Sequence, residues 1–252
     1  MARRRDPLRE VEAAITPLAR RHDEARRTFL GGYFSTRLVV RGLTVPEQRR
    51  LSRRGFSFSS RAAAAQFACW QDVWRRGRSM EALAQPLFWL ERQSVDDLAA
   101  WWPRLQRWVG RIDNWAHSDQ LSNIYARILE HDPTAYAVFR RWNRSPNAWA
   151  RRQSVVALLY FARQRRRPLP ANKILPLVER LLGDQDPFVQ KGVGWCLREA
   201  GTLYPGAVRA FITAQLGRLS AAAFATASEK TPTALRQRWK RRRTALRRSA
   251  KR

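Results

Sequence analysis

A chain of 252 residues, 44% of them apolar, can bury a substantial core as one large domain or two small ones. Its 49 Lys and Arg residues against 20 Asp and Glu give a formal charge of +29, a field that attracts phosphate polyanions. No apolar run reaches the roughly 18–20 residues a membrane span needs, and the opening MARRRDPLREVE lacks a secretory apolar stretch, so a cytoplasmic protein without membrane association is expected.

The basic bias is almost all arginine, whose planar fork suits phosphate, although the base composition of a source genome also favours arginine over lysine. Residues 229–252 carry +10 of the charge and leave +19 on residues 1–228, so the field belongs to the folded body as well. Cys69 and Cys196 stand far apart, and His22, His117 and His131 are equally scattered. A reduced compartment, no metal site and no cofactor are therefore expected.

Helical periodicity prevails wherever the pattern is legible, and strand-like alternation is absent, which points to an all-α chain. In chain order, helices are predicted near 8–30, 46–59, 62–76, 80–92, 95–110, 119–130 and 134–143. Next comes NAWARRQSVVALLYFARQ, where Ala148, Val155, Leu158, Leu159 and Phe161 keep helical spacing up to a break at PLP. Helices near 171–182, 187–203 and 205–216 follow, with short connections. The last stretch, TPTALRQRWKRRRTALRRSAKR, holds few apolar residues and much like charge, and is expected to be a flexible tail that attracts phosphate nonspecifically.

Two of these stretches resemble each other. SPNAWARRQSVVALLYFAR from Ser145 and DQDPFVQKGVGWCLREAGT from Asp184 align so that Trp149 steps to Phe188 and Arg152 to Lys191, both by 39 residues. That period, with a turn opening a helix that has a basic residue near its start, fits a HEAT-like α-solenoid of antiparallel helix pairs. In such a stack basic residues at one repeat position make a concave basic groove, in which a duplex could lie. The expected organisation is a single repeat domain over 1–228 and the tail over 229–252, as a monomer.

Motif searches for chemistry end empty: the chain has no phosphate loop, no glycine-rich dinucleotide fingerprint and no GxSxG elbow. Several segments together, however, resemble the AlkD-like DNA alkylation repair glycosylases, which are HEAT-like solenoids. They are YFSTRLVVRGLTVPEQRR at 33–50, WAHSD at 115–119, SPNAWARRQSVV at 145–156 and DPFVQKGVGWCLRE at 186–199. One departure is WAHSD itself, where the family commonly has a second tryptophan ahead and an acidic residue between.

The resemblance implies excision of alkylated purines from duplex DNA, with Trp115, Trp195 and Tyr33 facing the lesion and Asp119 as the catalytic carboxylate. It places Arg152 on the DNA backbone, and Lys191 and Arg198, on the Trp195 helix, join it as candidate phosphate contacts. These residue types suit the chemistry. A purine alkylated at N3 or N7 is cationic, so indole faces attract it by about 0.5–2 kcal/mol each, and a fixed carboxylate stabilises the charge growing on the deoxyribose.

Read alone, Asp119 after Ser118 resembles a helix N-cap, the two tryptophans resemble packing residues, and Tyr33 could close a helix pair. Two other functions stay open: a non-catalytic HEAT-like module for damaged or branched DNA, and an RNA- or ribosome-associated protein. A basic tail of this kind would also serve as a nuclear address.

Overall fold

The computed structural model describes residues 6–249. Among them fourteen α-helices and three short 3-10 segments form, and the extended backbone amounts to one isolated bridge between Val39 and Ser79. The all-α reading holds. The described residues group into two compact units that divide after Ile124, inside helix α7 (Trp115–His131).

The first unit contains α1 (Pro7–Ala19), α2 (Glu24–Phe34), α3 (Val45–Arg54), α4 (Ala63–Arg76), α5 (Met80–Leu90), α6 (Val95–Leu105), a 3-10 segment Gln106–Arg111 and the start of α7. The single helix predicted near 8–30 is two, because Asp23 starts a new one by accepting the backbone N–H of Arg26 at 2.8 Å. Every residue of α5 is buried, as expected of a helix that is apolar on most sides, and α1, α3 and α4 pack on it. Aromatic rings fill the space behind: Phe67 stacks on Trp101 at 4.5 Å and Trp74 on Trp108 at 4.8 Å.

The segment before α3 is held by a buried carboxylate. Glu81 accepts backbone N–H groups from Arg41 (2.9 Å), Gly42 (2.8 Å) and Leu43 (3.3 Å), and burial pushes its carboxyl above the usual range despite these bonds. Gly42 turns there with φ +88°. Thr44 and Glu47 then form a capping box, and His22 Nε2 lies 2.9 Å from Glu47.

The second unit runs from the end of α7 through α8 (Tyr136–Trp142), α9 (Ala148–Val156), α10 (Ala171–Arg180), α11 (Pro187–Leu203), α12 (Pro205–Ala214), α13 (Ala221–Ala227) and α14 (Thr233–Ser249). Its repeat is visible atom by atom. Asn147 caps α9 by accepting from Trp149 N and Ala150 N, and 39 residues on Asp186 caps α11 by accepting from Phe188 N and Val189 N. The two helices pack together, and α13 covers the other side of α11. The glycines of QKGVGW make both contacts possible: a Cβ on Gly192 would sit 3.1 Å from Arg152 Cγ and Val156 Cγ2, and one on Gly194 only 2.6 Å from the Ala223 carbonyl oxygen.

Two expectations need correction in this unit. The helix predicted through NAWARRQSVVALLYFARQ ends at Val156, and beyond it Phe161 adopts φ +49°, a left-handed conformation that costs a bulky residue energy. The stretch expected as a flexible tail is helix α14 over Thr233–Ser249, with residues 250–252 outside the described residues. Counting apolar residues missed its anchors. Trp239 is 2% exposed and donates from Nε1 to Thr213 Oγ1 at 3.0 Å. Arg243 is also buried, with Nη1 donating to the Leu216 carbonyl at 3.2 Å and its guanidinium 5.0 Å from the Phe224 ring.

Candidate nucleic-acid interface

Burial sorts the eleven tryptophans. Trp70, Trp74, Trp89, Trp101, Trp102, Trp108, Trp142 and Trp239 are buried. Trp115, Trp149 and Trp195 are half-buried. Packing alone therefore accounts for most of them, and two of the three exceptions are the tryptophans singled out from the sequence.

Trp115 opens α7. The capping position belongs to Asn114, whose Oδ1 accepts the His117 N–H at 2.9 Å, so the reading of Asp119 as an N-cap is corrected. Asp119 lies one turn further on, four residues after Trp115 and hence on the same helix face, half-buried. The cap is itself supported by His117, whose Nδ1 lies 3.0 Å from Asn114 Nδ2 and whose Nε2 lies 3.0 Å from the Met80 carbonyl. Burial drops the His117 pKa to about 4, against the smaller opposing effects of the Met80 bond and Asp113, so the ring is neutral, with Nε2–H donating and Nδ1 accepting.

Asp113 ties this helix start to the end of α2. Its carboxylate accepts Thr36 Oγ1 at 2.8 and 2.9 Å, Arg37 N at 2.9 Å and Asn114 Nδ2 at 2.8 Å. Trp115 Nε1 in turn donates to the Tyr33 carbonyl at 3.1 Å. The Tyr33 ring meets Trp115 edge-on at 5.3 Å, Phe34 lies 5.2 Å from the same indole, and Phe29 stacks on Tyr33 at 6.0 Å. Tyr33 is 56% and Phe29 67% exposed, so the four rings form an aromatic surface rather than a core. Phe29 and Phe34 were not singled out from the sequence; the spacing of Phe29 four residues before Tyr33 on a helix with no buried residue is the signal that could have found the first.

In the second unit, α11 carries Trp195 half-buried against Tyr160, with ring centroids 5.4 Å apart and planes 25° from parallel, and edge-on to Phe161 at 6.5 Å. Phe161, the left-handed residue, is 48% exposed. Tyr160 and Phe161 also escaped the sequence reading, which ran a helix through them.

The three predicted backbone-binding residues fare differently. Lys191 is exposed at the start of α11, its ammonium 5.5 Å from the Phe188 ring. Arg198 lies 5.8 Å over the Trp195 ring and pairs with Glu229 at 2.7 Å and Glu199 at 3.4 Å, so carboxylates already neutralise it. Arg152 is 5% exposed and donates from Nη1 to the Phe188 carbonyl at 2.8 Å. Its placement between α9 and α11 makes it a fastener of the helix pair, and a contact of its guanidinium with DNA phosphate stays a proposal. Its neighbour Arg151 forms the ion pair of this turn, with Nε 2.5 Å from Asp184 Oδ2.

No group of His, Cys, Asp and Glu suited to a metal ion occurs among the described residues, and no described helix is long and apolar enough to cross a membrane. Cys69 and Cys196 are free and buried, and burial, reinforced by Glu199, pushes the Cys196 thiol up to about 12.

The family described as DNA alkylation repair enzyme matches residues 14–231. The chain belongs to that family. The match takes in both aromatic sets and ends two residues before α14. No curated protein sequence matches the chain significantly. Among solved structures, a predicted DNA alkylation repair enzyme from Enterococcus faecalis is similar at a TM-score of 0.68, with 16% identity, covering 84% of this chain and 97% of its own. AlkD2 from Streptococcus mutans is similar at 0.54, with 15% identity, covering 87% of this chain and 98% of its own. At such identities the likeness speaks for a shared helical fold. Membership in a DNA alkylation repair family ties the +29 charge of this chain to DNA.

Proposed function

We propose that this DNA alkylation repair enzyme is a glycosylase that removes cationic N3- or N7-alkylated purines from duplex DNA. The observation that carries the reading is Trp115, half-buried at the head of α7 within an exposed aromatic surface, with Asp119 one turn along the same face. In the reaction the bond between deoxyribose C1′ and the base nitrogen breaks, and its electron pair leaves with the base, which becomes neutral. Water adds to C1′ and releases a proton, leaving an abasic site.

A base that departs neutral needs little acid catalysis. The group required is a carboxylate beside the sugar, which stabilises the positive charge as it develops and orients the water. Asp119 takes that role. Trp115 and Tyr33 in the first unit, and Trp195 in the second, offer a ring face to a charged base, at about 0.5–2 kcal/mol each. Such contacts select for charge rather than for base edges, and no metal or organic cofactor enters. Lys191 supplies a backbone contact, and Arg198 joins only by exchanging a carboxylate partner for a phosphate.

The test uses duplex DNA carrying one N7-methylguanine, with alkaline cleavage of abasic sites. Strand breaks above spontaneous background are expected for the wild type, lost in Asp119→Asn and weakened in Trp195→Ala. A wild type at background on this lesion and on 3-methyladenine, yet binding the duplex, would replace the enzyme by a damage-binding module. Preference for RNA over alkylated duplex in competition would sink both.

A further inference from the structure

Helix α14 contains eight basic residues and no acidic one. Like charges four apart, such as Arg236 with Lys240 and Arg238 with Arg242, each destabilise a helix by about 0.2–0.5 kcal/mol. The helix nevertheless docks, through Trp239 and Arg243. Docking leaves Arg238, Lys240, Arg241, Arg242 and Arg248 exposed. A folded, anchored helix that keeps this repulsion is better explained by a polyanionic partner than by solvation alone.

The docking also creates a cleft. Arg209, Ala210, Thr213 and Ala214 of α12 face Leu235, Arg238, Trp239 and Arg242 of α14 across about 420 Å³. Three guanidinium groups from two helices converge there, and no carboxylate lines the space. Arg209 is steadied by Nε donating to the Pro205 carbonyl at 3.1 Å, which engages one of its five donors. The adjoining cleft, about 360 Å³ and also lined by cations, makes a useful contrast. There two of the four cations are paired by the protein itself, Arg198 with Glu229 and Lys230 with Glu199.

We propose that the α12–α14 cleft is a seat for the DNA phosphodiester backbone, built by a helix that lies beyond the family match and giving affinity for duplex without regard to lesion. It rests on DNA being the partner and not on excision. Planar guanidinium forks from two sides suit the oxygens of a phosphodiester, and Arg241 and Arg248 extend the positive surface beyond the cleft.

The experiment measures binding to an undamaged duplex by fluorescence anisotropy across a salt series. It compares wild type, the triple variant Arg209→Gln/Arg238→Gln/Arg242→Gln, and a control, Arg20→Gln/Arg50→Gln/Arg180→Gln, which removes the same charge from exposed positions elsewhere. Each lost phosphate contact lowers the slope of log K against log salt by about 0.9, so the cleft variant should lose about 2–3 in slope and bind roughly 10- to 100-fold more weakly near 0.15 M salt. The control should lose less than half as much slope. Equal losses in the two variants, or an unchanged slope in the cleft variant, overturn the proposal.

Circular dichroism checks that α14 still folds, and Arg242→Gln alone, expected to lose about 0.9 in slope, decides if the triple variant does not. A phosphatidylserine–phosphatidylcholine vesicle arm covers the other anionic surface: loss of vesicle binding with duplex binding unchanged assigns the cleft to membranes and overturns the proposal. Excision of N7-methylguanine at saturating protein is followed in parallel. A wild type without excision but with a steep slope that the cleft variant loses defeats the glycosylase reading alone. Normal excision with an unchanged slope defeats this one alone.

Discussion

The ring of Trp149 stacks on that of Phe188, 39 residues further along the chain, with centroids 4.9 Å apart and planes 29° from parallel. Equivalent positions of neighbouring repeats touch, so the sequence period is also a packing contact. An aromatic pair of this geometry contributes about 0.5–1.5 kcal/mol beyond the area it buries. A double-mutant cycle of Trp149→Ala and Phe188→Ala by chemical unfolding should return a coupling in that range. Additive losses would mean that the rings are neighbours without mutual stabilisation.

Two glycines of α11 should respond differently to alanine. Replacing an interior helical glycine ordinarily gains up to about 1 kcal/mol. At Gly194 the new Cβ would lie 2.6 Å from the Ala223 carbonyl oxygen and 3.0 Å from Ala223 Cα, and backbone cannot swing aside as a flexible side chain can. Overpacking of about 1–3 kcal/mol then wins, and Gly194→Ala should lower the melting temperature by several degrees. At Gly201 the nearest atom is Val208 Cγ1 at 3.7 Å, an ordinary contact, so Gly201→Ala should be neutral or stabilising. A stable Gly194→Ala would show that α13 can yield.

The helical class and the repeat over 145–199 were legible because periodicity and capping residues are local properties of the sequence. Asn147 and Asp186 announce their helices without any tertiary help. What escaped depends on long-range partners. The cap of α7 belongs to Asn114 because buried His117 faces it. Helix α14 exists because Trp239 finds Thr213 on another helix. Phe161, beyond the end of α9 at Val156, takes a left-handed conformation that its residue type does not favour. Of the candidate residues, Trp115 and Tyr33 in the first unit and Trp195 in the second lie half-buried or exposed, whereas Arg152 is buried. Residue type does not encode exposure.

Asp113 is expected to position the aromatic surface of the first unit. Its carboxylate gathers Thr36, Arg37 and Asn114, and so fixes the end of α2 against the start of α7. Asp113→Ala leaves these donors without that acceptor, at a cost of about 1–3 kcal/mol. Amide hydrogen exchange over residues 33–39 should then speed up, with Asp113→Asn in between because its carbonyl oxygen still accepts. If exchange there matches wild type in the alanine variant, the ends of the two helices are held by the Tyr33–Trp115 contacts alone.

Stability should fall with mild acid through His117. Its native pKa of about 4 lies below the model-peptide value of 6.5, so the unfolded chain takes up the proton first. The native state therefore loses stability as pH drops from about 6.5 towards 4, by about 3 kcal/mol once both pKa values are passed. Glu81 acts in the opposite sense, because burial raises its native pKa and the folded state holds its proton more tightly. The difference between wild type and His117→Gln removes Glu81 and every other group common to both. That difference should shrink steadily from pH 7 to pH 4.5: the glutamine variant starts less stable, having lost the pairing with Asn114 and the fit against Trp74, 5.9 Å away, and then declines more slowly. Parallel curves would mean that the His117 ring takes up its proton at the same pH in the folded and unfolded chain, so that burial does not lower its pKa.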